Sequence, residues 1–249
     1  MFFRTDAIVL RKTKLSDSNL ILTLFTKKSG KMEAVAQGGR NPRSRLNAGS
    51  QPFVFGQYDI NTGDNYNYIN NIELKDSFYH IRDDLGKLAY GSWFLELTEA
   101  SIVTGETNHR LFEALLETVN VLATTEVPPD VLKVAFELKC LDSQGLRPEL
   151  RHCVSCQATG DQKWRFSMAE GGLICESCAP KYPDLYVIGK TLPKIMMYML
   201  LKDMRVIGKT QFHDSYIRKL DTILYKYILH HYDRKGFKSH GFLEALRDL

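Results

Sequence analysis

Two hydrophobic periods divide the chain. Up to about residue 75 the apolar positions fall in short runs that alternate with polar ones, the period-two signature of half-buried strands. The runs are Thr5–Thr13, Leu20–Thr26, Lys31–Gln37, Pro52–Ile60 and Tyr66–Leu74, each rich in β-branched or aromatic residues. Turn-forming residues separate them at Leu15–Asn19, Lys28–Lys31, Gly38–Pro42 and Asn61–Asn65. Five short strands in this length suit a small closed barrel. The OB-fold is the five-stranded barrel that binds nucleic acids; an SH3-like barrel fits the strand count as well.

From about residue 77 the period becomes helical. Leu85, Leu88, Ala89, Phe94, Leu95 and Ile102 form one stripe. Leu111, Leu115, Leu116, Val119 and Leu122 form a second, ended by Pro128-Pro129. Val131, Leu132, Ala135, Phe136, Leu138 and Leu141 form a third, closed by Gly145 and Pro148. Leu192–Met204 and Tyr216–Tyr232 follow as amphipathic helices. The reading is an α+β multidomain chain: a five-stranded OB-fold β-barrel over 1–78, helices over 79–150, a cysteine-bearing insertion over 151–182, and C-terminal helices over 183–249 that pack with the helical domain.

The insertion carries Cys153-x2-Cys156, then 18 residues, then Cys175-x2-Cys178. This spacing falls in the window of a four-cysteine zinc site. Each knuckle brings two thiolates to one ion, and four thiolates at a tetrahedral Zn2+ leave no open position for water. One structural zinc ion is expected, holding a fold together rather than activating water. An iron–sulfur cluster uses the same ligands, and a decayed site or disulfides are the other readings. Disulfides require an oxidising compartment, and the N-terminus lacks the basic start, apolar core and cleavage site of a signal peptide. Cys140 lies in a helical stripe and reads as a small buried hydrophobe.

The longest apolar run, Ile195–Leu201, is far too short to span a membrane, so the cytoplasm is the default location. The net charge of +4 becomes informative once divided along the chain. Residues 1–50 hold ten Lys/Arg (Arg4, Arg11, Lys12, Lys14, Lys27, Lys28, Lys31, Arg40, Arg43, Arg45) against three acids (Asp6, Asp17, Glu33). That segment is +7, which leaves −3 for the remaining 199 residues. Such asymmetry points to a polyanion-facing N-terminal domain. The loop from Gly38 to Ser50 sets three arginines within six positions beside glycines. Their planar forks suit phosphate, and glycine permits close backbone approach. Phe53, Phe55, Tyr58, Tyr66 and Tyr68 are stacking candidates, but alternation sends about half of such side chains into the barrel.

Catalytic patterns do not emerge. Gly189-Lys-Thr and Gly208-Lys-Thr resemble the end of a P-loop, yet Asp184 and Asp203 stand where its first glycine is required. Thr191 is expected to cap the following helix instead. No histidine is followed two positions on by Glu, as a zinc deaminase would need. HExxH and GxSxG are also missing.

The order of these pieces resembles the RecO family of bacterial DNA repair and recombination mediators. The matching residues are Thr5-Asp-Ala-Ile-Val-Leu-Arg, then Gly38-Gly-Arg-Asn-Pro-Arg-Ser-Arg-Leu followed by Gln51-Pro-Phe. Downstream they are Phe136-Glu-Leu-Lys-Cys-Leu-Asp-Ser-Gln-Gly-Leu-Arg-Pro, Cys153-Val-Ser-Cys and Phe166-Ser-x3-Gly-Gly-Leu-Ile-Cys-Glu-Ser-Cys. The resemblance runs from residue 1 to about 230. The family commonly has Ala at Gly39, and not all members keep the four cysteines.

The resemblance implies a non-enzymatic protein with an N-terminal OB-fold. It implies binding of single- and double-stranded DNA without sequence preference, and annealing of complementary strands. Implied partners are RecR and the acidic C-terminal tail of single-stranded DNA-binding protein, with RecA loaded indirectly, at the nucleoid and away from membranes. The basic residues listed above would meet DNA, because non-specific affinity comes largely from phosphate neutralisation and counterion release. An acidic tail needs a positive rim beside an apolar groove, for which Lys133, Lys139, Arg147 and Arg151 are candidates. The competing readings are a zinc-ribbon protein binding RNA or the ribosome, and an enzyme of unfamiliar motif.

Overall fold

The computed structural model describes residues 1–247. Five strands form the N-terminal region: β1 (Phe2–Lys14), β2 (Leu20–Thr26), β3 (Gly30–Ala36), β4 (Phe55–Thr62) and β5 (Asn67–Asp76). The long β1 serves two neighbours, pairing antiparallel with β2 through its second half and with β4 through its first. A register shift between Val9 and Arg11 lets it turn from one to the other. β2 pairs with β3 and β4 with β5. Two parallel pairs, Ala34↔Asn67 and Val35↔Tyr68, complete the ring β1-β2-β3-β5-β4. This is the five-stranded OB arrangement expected from the alternating runs, with a thin β3–β5 seam.

Ala7, Val9, Leu22, Leu24, Ala34, Ala36, Tyr58, Ile60 and Ile69 fill its interior. Tyr58 is therefore a core residue, its hydroxyl donating to the Gly49 carbonyl at 2.8 Å. β4 starts three residues later than the sequence run, because Phe53 adopts a left-handed conformation (φ 74°) and plugs inward. A Cβ at Gly91 would lie 2.7 Å from the Phe53 ring, so glycine there is what admits it.

The chain folds into two compact units. One unit comprises Met1–Thr124 together with the chain from Ser239 onward; the other is Thr125–Lys238. The first thus contains the barrel, α1 (Tyr79–Asp83), α2 (Leu85–Ser101) and α3 (His109–Thr124). Asp84 caps α2 by accepting the Lys87 N–H at 2.8 Å. A last helix, α8 (Lys238–Arg247), was not legible in the sequence stripes. The Ser239 N–H donates to Glu96 of α2 at 2.7 Å, and His240 meets Trp93 edge-on at 5.6 Å.

The second unit is built around α4 (Pro129–Ser143), which packs against α5 (Thr191–Leu201), α6 (Met204–Gly208) and α7 (Asp214–His231). Val131 to Leu138 are buried without interruption, so α4 is a central helix rather than a one-sided one. Cys140 is fully buried, as its apolar surroundings suggested. A three-stranded sheet in the order β7-β6-β8 completes the unit: β6 (Trp164–Ser167), β7 (Gly172–Cys175) and β8 (Leu185–Gly189). The apolar run 192–204 is not one helix, since Lys202 and Asp203 are extended between α5 and α6. Thr191 is the first helical residue of α5, not its cap; Lys190 precedes it without a side-chain cap bond.

Lys133 requires a correction. It is completely buried and donates to Glu137 at 2.6 Å and to Asp221 of α7. Burial alone would push its pKa down; the two carboxylates outweigh this and hold the ammonium charged. It therefore pins α4 to α7 and is not part of a surface rim. Lys133→Ala is expected to destabilise the protein by about 3–5 kcal/mol in urea denaturation, because two buried carboxylates lose their counter-charge. An Ala variant of unchanged stability would return Lys133 to a surface role.

Candidate metal centre and nucleic-acid interface

The metal centre is assembled by strand pairing. Cys153 and Cys156 lie in the turns after α4, Cys175 ends β7, and Cys178 follows in the next turn. The backbone of Glu149 and Val154 pairs onto β7: the Leu173 N–H donates to Glu149 O at 3.0 Å and the Val154 N–H to Leu173 O at 2.9 Å. This approach needs glycine at 172, where a Cβ would stand 2.8 Å from both Glu149 Cβ and Val154 Cγ1. Two knuckles 18 residues apart are thereby set face to face.

All four Sγ atoms lie within 4.8 Å of one another, and Cys156 Sγ is 3.7 Å from Cys175 Sγ. A Zn–S length of about 2.3 Å gives a tetrahedron edge of about 3.8 Å. The cysteines are free thiols, so the donor set fits one tetrahedral ion. Burial would raise the Cys153 pKa, but N–H donors from Cys175, Cys156 and Ser155 outweigh it and bring it to about 6. At Cys156 the Ala158 N–H favours the thiolate, yet the neighbouring thiols of Cys178 and Cys175 push the pKa up. Four sulfurs this close ionise together only around a cation. Cys153, Cys175 and Cys178 are buried and Cys156 is exposed, and four sulfur ligands leave no position for a reactive water.

The ten basic residues of the N-terminal segment separate by partner. Arg4 forks onto Asp59 across the β1–β4 ladder, with Nη2 at 2.8 Å, and its guanidinium holds that carboxyl below the usual carboxylate range. Asp59 is only 7% exposed, so Arg4 cannot leave without stranding a buried charge. Arg11 binds Glu99 of α2 at 3.0 Å and reaches Glu33 at 3.6 Å. The Lys31 ammonium donates to the Glu99 carbonyl at 2.7 Å. Lys27 pairs with Glu113 of α3 at 2.6 Å, and Lys14 with the fully exposed Asp17 at 2.9 Å. Lys12 donates to Gln51, and burial with nearby Arg82 lowers its pKa. Arg40 donates to the carbonyls of Ser16 and Asp17 at 3.3 and 3.0 Å, tying the basic loop to the β1–β2 turn.

Arg43, Arg45 and Lys28 are exposed, and their charged groups meet no partner among the described residues. The sequence count could not make this division, because Glu99 and Glu113 lie 68 to 88 residues from the cations they engage. Gly39 packs under the same loop, where a Cβ would meet the Ala36 methyl at 3.0 Å.

Of the four candidates for a positive rim, Lys133 is excluded by burial and Lys139 is half-buried on α4. Arg147 and Arg151 line a groove of about 240 Å³ with Pro148, Glu149, Leu150 and Met197, and Arg147 also faces Asp142 at 3.8 Å. Arg147 stands 3.4 Å from the Met197 sulfur, and Arg151 is exposed. No helix among the described residues is long and apolar enough to cross a membrane.

Comparison with known proteins covers both units. A family model described as recombination protein O, N terminal, matches residues 1–78, and one described as recombination protein O, C terminal, matches 82–241. A protein named DNA repair protein RecO from Alkaliphilus metalliredigens is 38% identical over 239 residues, 96% of this chain and 97% of that one. Its namesake from Halalkalibacterium halodurans is 32% identical over the full length of this chain and 97% of its own. That from Bacillus subtilis is 30% identical over 100% of this chain and 96% of the relative.

Cobalt(II) titration of the purified chain should saturate at one ion and give the charge-transfer absorption of a tetrathiolate. Cys153→Ser should abolish that spectrum and lower Tm by roughly 4–8 °C, corresponding to about 2 kcal/mol. Binding at several ions per chain, or an unchanged spectrum in the variant, would dismantle the site.

Proposed function

The chain belongs to the RecO family of DNA repair proteins, and from that premise we propose that it is a non-enzymatic recombination mediator that binds single- and double-stranded DNA without sequence preference and anneals complementary strands. With RecR it helps RecA load onto strands coated by single-stranded DNA-binding protein, in the cytoplasm at the nucleoid. The observation that carries this reading is a basic barrel whose longest loop presents Arg43 and Arg45 to solvent with no partner among the described residues. Non-specific affinity requires phosphate neutralisation and no base readout.

Within the basic segment, Arg43, Arg45 and Lys28 are the first contacts. Lys14 and Lys27 follow by exchanging exposed carboxylates for phosphates, since exposed ion pairs are worth about 0–1 kcal/mol. Lys12 and Arg40 shape the loop base, and Arg4, Arg11 and Lys31 chiefly hold the barrel together. The acidic tail of single-stranded DNA-binding protein would take the groove beside Arg147 and Arg151, whose two cations outnumber the one lining carboxylate, Glu149, around apolar Leu150 and Met197. The metal is one Zn2+ ion. A multi-iron cluster would spread its cysteine sulfurs over separate irons, whereas these four converge on one centre. Its role is structural.

Two measurements test this reading. Annealing of complementary strands, bare and coated with single-stranded DNA-binding protein, should be accelerated by the chain; competition in which folded RNA displaces both DNA forms would favour an RNA-binding protein instead. Changing Arg43 and Arg45 together to Ala should flatten the log K against log salt plot by about 2 units. An unchanged slope would move the phosphate contacts elsewhere.

A further inference from the structure

The four thiols differ sharply in their access to solvent. Cys153, Cys175 and Cys178 are at most 5% exposed. Cys156 instead stands on an exposed turn, Ser155–Gln157, in which Gln157 is left-handed (φ 63°). Its Sγ lies 3.7 Å from Cys175 Sγ, so this contact runs across the two knuckles and not within one. Cys175 is the last residue of β7, and its N–H donates to Cys153 Sγ at 3.4 Å. An oxidant arriving from solvent therefore meets one sulfur of the four, and a second sulfur is already in contact behind it. A small shift of the exposed turn brings the two into bonding distance.

We propose that Cys156 and Cys175 form a peroxide-responsive pair: oxidation joins them in a disulfide, releases the zinc ion and leaves the two knuckles covalently tied. The Cys156 thiolate attacks the O–O bond of hydrogen peroxide and becomes a sulfenic acid as hydroxide leaves. The Cys175 thiolate then attacks that sulfur, the S–S bond forms and a second hydroxide leaves. Both hydroxides take protons from solvent. Two thiolates have then lost two electrons in all, and the peroxide has become two waters. Cys153 and Cys178 alone supply half a tetrahedron, so Zn2+ departs with its charge unchanged.

The choice of partner matters for the fold. A disulfide inside either CxxC would leave the Cys153–Cys156 turn and the end of β7 unlinked once the ion is gone. The Cys156–Cys175 bond instead bridges 19 positions and holds the turn against β7, where the Val154 N–H already donates to Leu173 O. The insertion is expected to stay folded through oxidation and to reload when the disulfide is reduced. In a reducing cytosol, disulfides are usually transient and catalytic or redox-sensing. This inference rests on the single-zinc reading above and adds a modification site to it.

The experiment titrates the zinc-loaded full chain with hydrogen peroxide while a chromophoric indicator follows released zinc. Quenched samples are alkylated, digested with trypsin and mapped by tandem mass spectrometry; Lys163 and Arg165 let the protease separate the two knuckles. About one peroxide should be consumed per ion released, with Cys156 found linked to Cys175. Far-UV circular dichroism should hold throughout, and a thiol reductant with added zinc should restore the loaded chain. Dimedone present during the reaction should label Cys156 and not Cys175. Disulfides confined within each knuckle, label on Cys175 alone, or zinc retained under peroxide would each overturn the pair. The mapping needs no variant, so a folding defect cannot mimic its result. A purified chain that holds no zinc and gives no cobalt tetrathiolate spectrum would sink the single-zinc reading instead.

Discussion

Arg11 stands 3.0 Å from Glu99 and 3.6 Å from Glu33, and this shared guanidinium sets how the N-terminal unit uses its charge. It links β1 to β3 and to α2. The same pairing withdraws a cation from the barrel surface. Arg4 with Asp59 and Lys27 with Glu113 repeat the pattern on neighbouring strands. Charge that totals +7 by sequence is therefore divided into a paired framework and an unpaired loop. Contact between a polyanion and the unpaired part would break no internal bond.

The second unit relies on two different devices for closing distant segments together. Its helices are joined by a buried ammonium between two carboxylates, and its small sheet by a cluster of thiols. A three-stranded sheet with strands of four and five residues has little apolar area of its own. A metal ion held by the four thiols at its edge would supply the constraint that a core otherwise provides. Four thiolate ligands would leave such an ion no open position for a reactive water.

Much of this architecture was legible along the chain. The five alternating runs became five strands within a few residues at each end, because alternation directly reports which face is buried. The cysteine spacing likewise announced its cluster, since each pair is local. Errors arose where a tertiary partner overrode local signal. The strand expected from Pro52 begins at Phe55, because Phe53 turns inward toward Gly91. The run 192–204 breaks at Lys202–Asp203 despite its continuous hydrophobicity. Lys133 resembled a solvated helix charge until α7 placed Asp221 against it.

The sequence by itself determined the barrel, the helical body, the thiol quartet and the location of the excess positive charge. These depend on periodicity and on spacings of a few residues. Only the tertiary structure decided which cations remain free, that Tyr58 is core, and that Lys133 is an internal tie. Those properties depend on groups brought together across tens of residues, and a side chain's charge does not reveal whether its counter-charge is water, phosphate or a carboxylate of the same chain.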